Sequence, residues 1–225
     1  MRDPAAYTFN ASRYVPPLTG VRALAALLVL AMHTEQNVPA GVEAVLPFVA
    51  RGYLGVELLL RPLGAPALTR VFGEFLCGAA LCRCVALSHG ARGVEGDILG
   101  GGAFAAFLFG ASTGFGDFAL VALLAVTILG TAMSRGSWAR ILGSGPLVWL
   151  GEISYSIYMV HFPVLIIIRR FWERLGFAEW GPAGKLSAFL ATDLLVVALA
   201  AMMFYVVERP VRTRLRDRMG SFKKA

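Results

Sequence analysis

Apolar runs long enough to cross a bilayer recur along this chain, and that recurrence constrains its fold more than any single motif. The stretch VRALAALLVLAMH opens the series, and comparable runs follow at intervals to residue 207. About 20 mostly apolar residues in helical form span roughly 30 Å of hydrocarbon. Read this way, full spans fall at about 18–35, 71–87, 98–112, 118–133, 147–168 and 186–207. Residues 52–60, GYLGVELLL, are apolar but too short to cross, and read as a broken or re-entrant piece. Residues 61–70 carry Arg61, Pro62, Gly64, Pro66 and Arg70 and read as a linker. The expectation is an all-α polytopic membrane protein with about six transmembrane helices, forming a single domain over residues 1–225.

Composition agrees. Of 225 residues, 57% are hydrophobic and 16% charged, with a mean hydropathy of +0.68. A soluble domain carries about 25% charged residues. So much apolar sequence exceeds what a soluble core of this size encloses. Disordered, collagen-like and disulfide-scaffold classes are excluded on the same grounds. Cys77, Cys82 and Cys84 share one apolar segment, match no metal spacing and read as small packing residues.

The formal net charge is +7, and its placement matters more than its size. Arg209, Arg212, Arg214, Arg216, Arg218, Lys223 and Lys224 follow the last apolar run, against Glu208 and Asp217. Basic residues flanking a span mark the cytoplasmic side, so this cluster reads as a juxtamembrane tail (209–225) rather than a nucleic-acid surface. Arg2 and Arg13 place the leader, residues 1–17, on the same side. No cleavable signal peptide is evident. Six spans with both termini in the cytoplasm of an inner (plasma) membrane put Arg135 and Arg140 inside as well. The same topology puts Arg169, Arg170 and Arg174 outside, against the charge bias. If residues 52–60 crossed fully, the basic tail would lie outside instead.

Glycines give a second pattern. Gly96 and Gly100 stand in a GxxxG spacing, as do Gly110 and Gly114, which suits close helix packing. Gly100, Gly101 and Gly102 would suit a phosphate-cradling loop, but no Lys-Ser or Lys-Thr pair follows.

Ionisable groups inside spans are costly, so each is a functional candidate. Arg22 and His33 are eleven residues apart. At 100° per residue that leaves them about 20° apart in azimuth and about 16 Å apart along the axis. They therefore share one helix face. His33 suits a general base, because an imidazole titrates near neutrality. It equally suits a polar cap bonded to Glu35 or to a loop carbonyl. Ser154, Tyr158 and His161 share a face of the fifth span, with Glu152 and Tyr155 on a neighbouring stripe. These groups either line a wet cavity or satisfy one another across helices. Asp193 is a lone carboxylate in the last span, open to pairing with an arginine or a hydroxyl.

In order, these segments resemble the membrane-bound acyltransferase 3 family. LTGVRALAALLVLAMH resembles its opening segment, with Arg22 and His33 at the family's Arg and His separated by ten residues. GYLGVELLL resembles the next signature, with Glu57 where Asp is usual. RVFGEFLCGAALCR, WLGEISYSIYMVHFPVL and FYVVERPVRTRL resemble later ones, the last through Glu208, Pro210 and Arg212. The family usually has roughly ten spans, so the chain resembles a member lacking an internal block.

The resemblance implies transfer of an acyl group, often acetyl, from cytoplasmic acyl-CoA to a hydroxyl of a carbohydrate or glycosylated acceptor. It implies His33 as general base, with Arg22 holding the environment of His33 or contacting the donor's phosphates or carbonyl. Glu57, Tyr155, Tyr158, His161 and Glu208 would shape the cavity. Acyl-CoA (acetyl-CoA) would be a co-substrate; no metal or fixed cofactor is implied. Expected partners are membrane lipid, acyl-CoA, the carbohydrate acceptor and a second copy or full-length relative, with no nucleic acid. Two rival classes compete with the enzyme. One is a shortened, non-catalytic packing partner, suggested by the missing block and the GxxxG spacings. The other is a small transporter, though no matched broken halves appear.

Overall fold

The computed structural model describes residues 15–55 and 94–222; for 53–55, 118 and 216–222 it describes the backbone alone. Glu57, the three cysteines, the linker at 61–70 and the expected span at 71–87 lie outside the described residues. Among those described there is no strand. Besides a single α-helical turn at Val42–Val45, the α-helices among the described residues are α1 (Pro16–Asn37), α2 (Val94–Thr113), α3 (Asp117–Met133), α4 (Ser137–Leu142), α5 (Gly145–Arg174), α6 (Pro182–Met203) and α7 (Arg209–Phe222). Four stretches are long and apolar enough to cross a membrane: Pro16–Asn37, Val94–Thr113, Gly145–Arg174 and Pro182–Leu215. A shorter apolar helix covers Ala119–Met133. The chain is an all-α membrane protein, and five of the six expected spans fall on described helices.

Contacts divide the chain into two compact units, the first holding residues up to Val21 with Glu57–Val148, the second Arg22–Val56 with Trp149–Ala225. In the first, α2 and α3 form an antiparallel hairpin. Gly114, at φ +86°, reverses the chain after α2 in a left-handed conformation that glycine adopts without a Cβ penalty. The buried stripe of α2 runs through Gly96, Gly100, Ala103, Phe107, Gly110 and Ala111. A Cβ on Gly130 would strike the backbone of Gly100 and Leu99, and one on Gly96 that of Met133 and Ser134. Small residues four apart thus bring the two backbones together. Gly110 and Gly114 do not repeat this: Gly110 lies under Phe115, and Gly114 makes the turn. Gly100, Gly101 and Gly102 are interior to α2 and form no loop, in keeping with the packing reading.

In the second unit, α1, α5 and α6 enclose a core of Ala26, Leu30, Ile153, Ile157, Val196, Ala200 and Phe204. Gly176, at φ +71°, ends α5, and Pro182 starts α6 at the first helical position, where no donor is lost. A second cluster, Val38, Phe177 and Ala188 with Trp172 and Trp180, closes the α5–α6 turn. Residues 47–55 form a 3-10 segment whose Gly52 lies against Leu28 and Met32 of α1. This is the first part of the expected re-entrant piece; residues 56–60 lie outside the described residues.

The last span does not stop before the basic tail. A π-helical turn over Phe204–Glu208 joins α6 to α7 as one rod. Val196, Ala200 and Phe204 face inward at every fourth position. On a regular helix that spacing drifts about 40° per step. The wider turn takes up the drift and keeps Glu208 on the inner side.

Candidate functional site

The second unit carries a line of polar side chains between α1, α5 and α6. Arg22 Nη2 donates to Ser154 Oγ at 2.9 Å, and Ser154 donates onward to the Gly151 carbonyl at 2.8 Å. Eleven residues along α1, the His33 ring meets His161 edge-on, with centroids 5.1 Å apart and planes at 70°. Arg22 and His33 therefore both turn toward α5, as their shared azimuth requires. The two helices run parallel, so rising residue numbers on α1 meet rising numbers on α5. Seven residues of α5 match eleven of α1 because the long Arg22 side chain spans the difference.

Both imidazoles are held in one tautomer by their own helices. His33 Nδ1 lies 2.9 Å from the Val29 carbonyl. His161 Nδ1 lies 2.8 Å from the Tyr158 carbonyl and 3.1 Å from that of Ile157. A carbonyl only accepts, so Nδ1 carries the proton in each neutral ring and Nε2 keeps its lone pair. A free Nε2 is what a general base presents. His33 is half-buried and His161 is 9% exposed. The cap alternative for His33 is not what forms: Glu35 instead accepts from the Ala40 and Gly41 amides, at 3.1 and 2.7 Å.

Beyond the imidazoles, Thr34 Oγ1 donates to Asp193 Oδ1 at 2.6 Å, answering the lone carboxylate of α6 with a hydroxyl. Toward the other end, Ser156 Oγ donates to Glu208 Oε2 at 2.6 Å. Arg212 Nη2 lies 2.7 Å from Glu208 Oε1. That contact is an ion pair without hydrogen-bond geometry, so the buried Oε1 keeps an unfilled acceptor direction. Trp149 Nε1 donates to the Tyr205 hydroxyl at 3.0 Å.

Of the residues expected at the site, Arg22, His33, Tyr158 and His161 come together along α1 and α5, and Glu208 joins through Ser156. The ring of Tyr158 stands edge-on to His161 at 6.3 Å. Tyr155 does not join them. It is 54% exposed, on the stripe it shares with Glu152, about 100° from Ser154 around α5. Its expected place in the cavity is corrected. Ser156 and Thr34 were not foreseen, because a lone hydroxyl in an apolar helix carries no signal until its partner helix is known. Among the described residues, no three His, Cys, Asp or Glu side chains gather as metal ligands do.

Guanidinium, hydroxyl and paired imidazoles between two helices of an all-helical membrane protein make this line of side chains the candidate functional site. The family model described as Acyltransferase domain matches residues 95–207, and the chain belongs to this acyltransferase 3 family. That stretch contains α5 and most of the α6 rod, but not Arg22 or His33. The chain is also similar to the O-acetyltransferase OatA of Staphylococcus aureus strains NCTC 8325 / PS 47, COL and MRSA252. Each is 25% identical over 102 residues, 44% of this chain and 15% of the relative. The chain thus matches under a sixth of the length of these relatives. No solved structure matches it.

Proposed function

We propose that this chain transfers an acyl group, acetyl first among candidates, from acyl-CoA to a hydroxyl of a carbohydrate acceptor. The observation that carries the reading is the His33–His161 pair, two imidazoles edge-on with both Nε2 atoms unprotonated, in a chain of an acyltransferase family. In the proposed step, His33 Nε2 takes the proton of the acceptor hydroxyl. The oxygen attacks the thioester carbonyl and a C–O bond forms. The C–S bond then breaks, and the leaving thiolate recovers the proton from the imidazolium. His161, against the face of His33, steadies that imidazolium while it exists. Arg22 is exposed and bound to Ser154, some 16 Å from His33 along the axis, so its part is to meet the donor's phosphates rather than the base.

Both termini are proposed to lie in the cytoplasm of the inner membrane, with the basic helix α7 at the donor's side. Of the glycine spacings that suggested a packing partner, Gly96 and Gly100 are occupied within the chain by the α2–α3 contact. Full-length protein in nanodiscs, incubated with acetyl-labelled acetyl-CoA and a panel of oligosaccharides, tests the reading. Label should pass to a glycan with wild-type protein and fail to pass with His33→Ala. Equal transfer by a folded His33→Ala protein would overturn the role of His33, and no transfer to any glycan would overturn the reaction.

A further inference from the structure

The same unit has a second polar feature, at the ends of α1 and α5 away from the basic tail. There a hollow of about 310 Å³ is lined by Asn37, Ile166, Arg169, Arg170 and Glu173. Its size is at the low end of the roughly 300–1,000 Å³ range of small-molecule sites. We propose that this hollow is the acceptor's docking subsite and takes an acidic sugar, with a uronate-type carboxylate paired to Arg170. The assignment rests on the transfer reading above and adds the charge of the acceptor to it.

Three observations carry it. The hollow adjoins the proposed base: Asn37 lines it, and Asn37 Nδ2 donates to the His33 carbonyl at 2.8 Å, one helical turn away. Ile166 is five residues along α5 from His161, so the near end of the hollow lies one to one and a half turns along each helix from the two histidines. The lining also suits a sugar. Guanidinium, amide and carboxylate groups offer planar donors and acceptors for ring hydroxyls, and Ile166 offers an apolar surface for ring C–H groups.

The third observation is charge. Arg169 Nε is paired with Glu173 Oε1 at 2.9 Å, both side chains being more than half exposed. Among the described residues no carboxylate pairs with Arg170, so the described lining carries one positive charge in excess, on that guanidinium. A guanidinium binds a carboxylate through two parallel hydrogen bonds. This also gives a reason for arginines at the end of the bundle where the charge bias disfavours them. An exposed arginine at a membrane edge also reaches lipid phosphates readily, so lipid is the competitor to be tested.

Binding to full-length protein in phosphatidylcholine nanodiscs decides the matter, without acetyl-CoA present. The probes are trigalacturonate and its methyl ester, the same scaffold with its charge removed. Wild-type protein should bind the acid about ten-fold more tightly, as one charge-assisted pair predicts. Arg170→Gln should cut that preference to less than about two-fold and leave the ester's affinity unchanged. Glu173→Gln, which frees Arg169, should increase the preference. Equal affinity for acid and ester in the wild type would overturn the proposal, as would an unchanged preference in Arg170→Gln. Loss of acid binding on adding phosphatidylglycerol to the nanodiscs would overturn it too, assigning the arginines to lipid. A chain that binds the acid but transfers no acetyl group refutes the transfer reading and leaves the docking site standing. Transfer without charge preference does the reverse.

Discussion

The α2–α3 hairpin and the α1–α5–α6 group use their polar residues in opposite ways. In the hairpin unit the described polar contacts tie neighbouring turns and segments of the hairpin together. Thr127 and Thr131 donate to carbonyls four residues back, at 2.8 and 2.7 Å. Trp138 Nε1 donates to Thr131 Oγ1 at 2.9 Å. Asp97 accepts from Ser134 and from the Gly136 amide, tying the start of α2 to the loop before α4. In the three-helix group, two imidazoles meet edge-on with their Nδ1 atoms held by their own helices, which leaves each Nε2 with its lone pair. Satisfied polar groups hold a membrane fold together, whereas partly satisfied ones in the same apolar setting are where chemistry can act.

The contrast can be broken most sharply at its two extremes. His33→Ala should lower acetyl transfer by about 10²–10⁴-fold, the usual worth of a general base, with unchanged thermal unfolding of the purified protein. Gly130→Val should do the converse. Its side chain meets the backbone of Gly100 and Leu99, and overpacking of this kind costs about 1–3 kcal/mol. Unfolding in detergent should come at lower temperature, while activity per folded molecule stays at the wild-type level.

Smaller effects sharpen the picture inside the three-helix group. Thr34→Val removes the hydroxyl from Asp193 and should cost about 0.6–1.7 kcal/mol, the range for hydrogen bonds between membrane helices, read from the same unfolding measurement. Asp193→Asn in the Thr34→Val background should then cost less than it does alone, since the pair is already broken. Tyr155→Phe should change stability by less than about 0.5 kcal/mol, as at other exposed positions, and leave transfer untouched. A large loss at Tyr155 would return it to the site from which its exposure removes it.

Much of this was legible in the residues. The helix positions followed from hydrophobicity and length, because a chain in lipid must satisfy its backbone within each helix. The expected span at 18–35 is Pro16–Asn37, and that at 98–112 is Val94–Thr113. The shared face of Arg22 and His33 followed from helical geometry alone, as did the Ser154, Tyr158 and His161 stripe. Less legible were the lengths of the last two helices. Arg169 and Arg170 fall beyond the expected span at 147–168 but continue α5 to Arg174, since charges at a helix end reach water. Tyr155 was misplaced because tyrosine is compatible with an inner or an outer stripe.

The sequence by itself determined that this chain is helical, that it belongs in a membrane and which residues share each helix face, because those properties arise within one helix and need no neighbour. The tertiary structure alone decided that His33 meets His161, that Ser156 finds Glu208 and Thr34 finds Asp193, and that Gly130 closes on Gly100. Such pairings depend on which faces oppose one another and at what height, and residues on different helices, far apart in the chain, carry no local record of that register.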